Sequence, residues 1–138
     1  MEKYKFTATL ILVLIAIIVC CSMTSTGRAY AQEEETCNEY KRTDAELNRV
    51  YQRVLAEYKT QTVFISKLRA AQRAWILFRD AHVESLYPLQ RSQYGSVYQT
   101  CRCTMLLEVV RERTEVLQKW ITGNEEGDVC SGSIKIKS

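Results

Sequence analysis

The sequence predicts an all-α protein, a three-helix antiparallel bundle with a disulfide-tethered C-terminal tail. Three observations carry that expectation. Apolar residues recur at steps of three and four through three long segments, and Gly and Pro are confined to the stretches around them. Four cysteines, Cys37, Cys101, Cys103 and Cys130, fall where they could staple helices and tail together.

The N-terminus sets the compartment. Lys3 and Lys5 precede an apolar run from Ala8 to Val19, and Ala29-Tyr30-Ala31 follows. Basic start, short apolar centre and small-residue cleavage site form a signal-peptide pattern, so residues 1–31 are expected to leave and the chain to work outside the cytoplasm, periplasmic or secreted. Two other fates compete: a retained anchor, for which Cys20 to Gly27 is too polar, and a lipid anchor at Cys20 or Cys21, preceded by Val19 or Cys20 instead of a small residue. Cleavage would remove Lys3, Lys5, Arg28 and Glu2, lowering the net charge from +3 to about +1, which argues against a nucleic-acid partner. Residues 32–138 then form one helical domain with a modest core and no second domain, the helical part spanning about 37–121 and the tail 122–138. In an oxidising compartment, disulfides are the expected fate of the thiols.

Gln32 to Thr36 is an acidic leader expected to fray. The first helix is expected from Cys37 to about Lys59, with Tyr40, Leu47, Tyr51, Val54, Leu55 and Tyr58 on one face and charges on the other. The second is expected from about Val63 to Tyr87, on a stripe of Phe64, Leu68, Ala71, Trp75, Phe78, His82 and Leu86. The third is expected from about Tyr98 to Ile121, through Cys103, Leu106, Leu107, Val110, Thr114, Leu117 and Ile121. Thr60-Gln61-Thr62 makes the first turn, Pro88 stops the second helix, and Tyr94-Gly95-Ser96 precedes the third. Connections this short make neighbouring helices antiparallel.

A turn near Gln61 brings residues whose numbers sum to about 123 to one height, so Asp44 faces Arg79 and Tyr51 faces Gln72. Asp44, Asn48, Tyr51 and Leu55 share one helix face, as do Gln72, Trp75, Arg79 and Val83. Asp44, Asn48, Gln72 and Arg79 are therefore expected to form a structural polar network, with Leu47, Tyr51, Trp75 and Leu117 as core anchors. The first and third helices run parallel, which lets Cys37 approach Cys101 or Cys103. These two point nearly opposite ways, because two helical steps turn about 200°. The expected pairs are Cys37 with Cys103 and Cys101 with Cys130, or the same with Cys101 and Cys103 exchanged.

Two runs are less generic: Thr43-Asp44-Ala45-Glu46-Leu47-Asn48-Arg49-Val50-Tyr51, and Leu68 to Ala81, which reads LRAAQRAWILFRDA. With Gly95-Ser96 and Arg111 to Leu117, they resemble the bacterial family named after the lysozyme inhibitor LprI, over nearly all of residues 37–121. The resemblance implies an exported or lipid-anchored helical domain without catalysis, linked by name to binding and inhibiting lysozyme. Similar proteins often carry two further cysteines where this chain has Val83 and Met105, consistent with one bridge replaced by apolar packing.

No enzymatic constellation competes. Asp80 and Glu84 lie one turn apart while His82 points elsewhere, and no Gly-rich phosphate loop or nucleophile elbow occurs. Cys101-Arg102-Cys103 lacks the four ligands of a closed zinc site, since His82 is the only histidine, so neither metal nor cofactor is expected. The function expected is inhibition of lysozyme by protein contact; the alternative is an envelope interaction module whose partner is another envelope protein. Candidate partner-binding residues are Arg91 and Tyr94 in the loop after Pro88, and Glu125, Glu126 and Asp128 in the tail, placed to meet a basic enzyme or plug its cleft.

Overall fold

A computed structural model describes residues 31–137. The chain divides into two units, 1–35 and 36–138. The expected signal peptide, residues 1–31, and the candidate lipid-anchor positions Cys20 and Cys21 lie, apart from Ala31, outside the described residues. Residues 32–36, expected to fray, are helical.

Three long helices build the second unit: α1 over residues 36–57, α2 over Thr62–Leu86 and α3 over Tyr98–Thr122. Each runs without internal Gly or Pro. Tyr58 to Gln61 make the first turn, where the Gln61 amide donates to the Tyr58 carbonyl at 2.8 Å. Helix α2 stops because the ring of Pro88 disfavours helical backbone at Tyr87, whose φ and ψ are −129° and 63°. The loop beyond it folds into a 3-10 turn, Arg91–Gln93, closed by reciprocal side-chain hydrogen bonds of Gln90 and Gln93.

Side chains at the helix ends establish directions. Phe64 at the start of α2 lies 5.8 Å from Trp120 at the end of α3, and Tyr87 lies 5.6 Å from Tyr98, so α2 and α3 are antiparallel. Cys37 and Cys103 form a disulfide at one end of α1 and α3, while at the other end the Tyr58 hydroxyl donates to the Trp120 carbonyl at 2.9 Å. Those two helices are parallel.

The buried cluster comprises Leu47, Val50 and Val54 of α1, Tyr58 of the first turn, Leu68 of α2, and Val110, Leu117 and Ile121 of α3. Helix α2 supplies a single member because its inward face is rotated from the expected apolar stripe. Gln72 and Val83 are buried and Trp75 and Arg79 half-buried, whereas Ala71, Phe78, His82 and Leu86 are exposed. The polar Gln72 and Arg79 face inward because they find partners there, and Phe78, 57% exposed, stacks on His82 outside.

The tail departs from expectation in its tether. Cys101 and Cys130 are free thiols. Cys101 sits at the start of α3 and the tail leaves its far end, about 30 Å of helix away, which no disulfide can span. Backbone pairing anchors the tail instead. The Asn124 amide donates to the Lys135 carbonyl and the Lys137 amide to the Asn124 carbonyl, both at 2.8 Å, forming one parallel bridge between Asn124 and Ile136. Buried Gly123, at φ +81°, makes the approach possible, since a Cβ there would stand 2.8 Å from the Lys135 carbonyl oxygen. Trp120 Nε1 donates to Ser133 Oγ at 3.1 Å, and Lys135 Nζ reaches Glu57 at 3.2 Å.

Candidate functional site

Polar groups line the seam of α2 where hydrocarbon would ordinarily pack. Helix α1 presents Tyr40, Asp44, Asn48 and Tyr51, helix α2 presents Gln72, Trp75 and Arg79, and helix α3 adds Arg113. Arg79 Nη1 stands 3.5 Å from Asp44 Oδ1, while its Nε and Nη2 each reach Asp80 Oδ1 at 2.8 Å. Asn48 Nδ2 donates to the Asp44 carbonyl at 3.0 Å and to Asp44 Oδ2 at 3.3 Å. Gln72 does not join this set: its Oε1 accepts from Arg113 Nε at 3.0 Å. The Trp75 ring lies between the two halves, with the guanidinium carbons of Arg79 and Arg113 at 5.6 and 5.8 Å from its centroid. A ring flanked by two cations is held in orientation, which makes Trp75 an anchor by electrostatics as well as by area.

The charges differ in compensation. Burial alone would lower the Arg79 pKa, but the hydrogen bond to Asp80 and the charges of Tyr40, Asp80 and Asp44 raise it above its ordinary value. Burial raises the Tyr40 phenol, against the pull of Arg79. Burial lowers Arg113, only Tyr51 opposing it, and Arg113 Nη2 is buried without a hydrogen-bond partner among the described residues. Arg113 is the member that sequence reasoning missed. Its signal was its place on the α3 stripe, three residues after Val110 and four before Leu117, where a cation is unusual.

Beside this cluster and sharing Tyr51 and Gln72 with it, a depression of about 440 Å³ between α1 and α2 is lined further by Gln52, Leu55, Arg69, Arg73 and Ile76. A second, of about 380 Å³, adjoins it along Arg69 and Arg73 and is lined further by Lys59, Thr62, Ile65 and Ser66.

The other candidates fall elsewhere. Tyr94 is half-buried, accepts the Leu89 amide at 2.9 Å, and stacks on Tyr98 beneath an edge-on Tyr87, so it shapes the loop more than it projects from it. Arg91 lies over the Tyr98 ring at 5.7 Å. In the tail, Glu125 pairs with Lys137, and Asp128 accepts from Asn124 Nδ2 at 2.7 Å and the Cys130 amide at 2.9 Å. Glu126 is exposed. Leu47 and Leu117 are fully buried and Tyr51 half-buried.

Among the described residues, no three His, Cys, Asp or Glu side chains come together in a way that could hold a metal ion, and no helix is long and apolar enough to cross a membrane. The cluster offers buried cations and a fixed aromatic ring, a chemistry of positioning and recognition. Compared with known proteins, the chain finds no match among curated proteins and none among solved structures. The family model described as lysozyme inhibitor LprI matches residues 20–117, a span containing every member of the cluster. With nearly three-quarters of its length covered by that model, the chain belongs to the lysozyme inhibitor LprI family.

Proposed function

We propose that the protein is an exported, noncatalytic inhibitor of lysozyme that acts by protein–protein contact. The observation that carries this reading is the family match over residues 20–117. The bundle supports it physically. Three helices tied by the Cys37–Cys103 disulfide present a stiff surface, and stiffness lowers the entropy cost of binding. Lysozyme is strongly basic, with a cleft that works through carboxylates, so exposed acids such as Glu34, Glu35 and Glu126 favour encounter. The N-terminal pattern of Lys3, Lys5, the apolar run and Ala29-Tyr30-Ala31 supports an extracytoplasmic place of action.

The test is a turbidity assay on peptidoglycan. Purified protein should slow lysis by lysozyme at near-stoichiometric amounts, and added salt should weaken the effect. Unchanged lysis at large molar excess would remove the inhibitor reading and leave an envelope interaction module, whose partner a pull-down from the producing cell's envelope would identify.

A further inference from the structure

Between Lys59 and Arg79 the chain carries five cations, Lys59, Lys67, Arg69, Arg73 and Arg79, and no acidic residue. Arg79 is compensated by Asp80 and Asp44. Lys59, Arg69 and Arg73 have no ion-pair partner among the described residues, whereas Arg49, Arg53, Arg111, Lys135 and Lys137 each hold a carboxylate. Lys67 likewise has no ion pair among the described residues, and of these four cations Lys59, Arg69 and Arg73 line the two adjoining depressions of about 440 and 380 Å³, where no carboxylate lines either one. Behind Gln72, on the wall of the larger depression, stands Arg113, itself without an ion pair and with its buried Nη2 unpartnered among the described residues. Three uncompensated positive charges thus line adjoining depressions, with Arg113 behind Gln72 and lining neither, and low-dielectric walls concentrate the field.

From this arrangement we propose that the α1–α2 groove is an anion-binding site for a ligand bearing two or more phosphates. Arg69 and Arg73 are one helical turn apart, about 6 Å between their Cβ atoms, so one oxyanion can be shared by both guanidinium forks. A carboxylate carries one negative charge on its two oxygens, which a single bidentate arginine already neutralises. A phosphate offers a third oxygen to the second fork, and the Thr62 and Ser66 hydroxyls of the adjoining depression can donate to what remains. The second phosphate falls to Lys59 at the end of the groove, a point charge suited to a less directional contact. Free oligophosphate and a lipid headgroup carrying two phosphomonoesters share this chemistry.

The experiment uses the chain in the form in which the producing cell leaves it, followed by backbone amide NMR during titration with inorganic tripolyphosphate and, separately, with phosphatidylcholine vesicles with or without phosphatidylinositol 4,5-bisphosphate, whose headgroup carries two phosphomonoesters. Saturable shifts concentrated between Lys59 and Ile76 are expected. Arg69→Ala with Arg73→Ala should weaken binding at least tenfold, whereas Arg42→Ala with Arg49→Ala, equal in charge removed, should change it less than twofold. Tripolyphosphate binding alone identifies a free oligophosphate as the ligand. Binding to the bisphosphate-bearing vesicles, absent with phosphatidylcholine alone and displaced by tripolyphosphate, identifies the headgroup. Shifts spread over the whole surface, equal weakening by both double variants, or no saturable binding of either anion would overturn the site.

Discussion

Replacing both Cys37 and Cys103 by Ser should remove a large part of the stability of this domain. The two residues are 66 apart in sequence, and a crosslink closing a loop of that size lowers the entropy of the unfolded chain by an amount worth about 4.3 kcal/mol at 25 °C. Domains of this size are stable by about 5–15 kcal/mol, so the loss would move the unfolding midpoint far into low denaturant. The bridge also joins α1 to α3 at the end opposite the Tyr58–Trp120 contact, where the other tie is the exposed Glu39–Arg111 ion pair beside helix packing. Guanidinium unfolding should therefore show a loss of about 3–4 kcal/mol, allowing for residual order in the unfolded chain. Wild-type protein in reductant should match the variant, and Cys101→Ser with Cys130→Ser should unfold like the oxidised wild type. A loss under about 1 kcal/mol, or a peptide map that finds Cys101 bonded to Cys37, would refute the reasoning.

Arg79→Ala should cost about 1–2 kcal/mol in thermal or denaturant melts, less than the ~3 kcal/mol of a fully buried pair, because Asp44 at 32% exposure is partly solvated. Arg79→Lys should restore less than half, since an ammonium cannot both cover Trp75 and fork to Asp80 and Asp44. Gly123→Ala should release the tail, because φ +81° with ψ 167° is essentially glycine-only backbone costing about 1–3 kcal/mol for alanine, and the new Cβ meets the Lys135 carbonyl. Hydrogen exchange at the Asn124 and Lys137 amides would report it. The Glu57 carboxyl is held below its usual range by hydrogen bonds from Arg53 and Lys135. Its contribution to tail docking is therefore complete above the ordinary carboxylate pKa and lost as pH falls through the lower folded value. Lys135 side-chain NMR should show the Glu57 contact fading on acidification, and a contact that persists at the lowest pH would contradict this.

How far the bundle was legible depended on which forces act locally. Helix boundaries matched within a few residues because Pro88, Gly123 and the Gln61 turn act on their own neighbours. The register that puts Asp44 opposite Arg79 followed from the length of that turn. The face of α2 was ambiguous from the sequence, since two stripes compete: one through Ala71, Phe78 and His82, another through Gln72, Trp75 and Arg79. The second faces inward because Arg113 from α3 and Asp44 from α1 satisfy its polar groups, and those partners lie 41 and 35 positions away in the chain. Likewise Cys101 and Cys130 look like a pair on paper, yet the length of α3 separates them.

The sequence alone determined the helical class, the three segments, their antiparallel order and the cysteines within reach of Cys37, because periodicity, breakers and turn length are properties of neighbouring residues. The LprI motifs were likewise readable in it. Tertiary structure decided which face of α2 is buried, that Arg113 joins Gln72 and Trp75, and that the tail docks through Asn124, Lys135 and Trp120 instead of through Cys130. It also decided that the cations of α2 gather along a groove without carboxylates. The reason is common to all four. Burial and charge compensation are settled by groups that meet only after the helices pack, and their free energy depends on the distance between them in space.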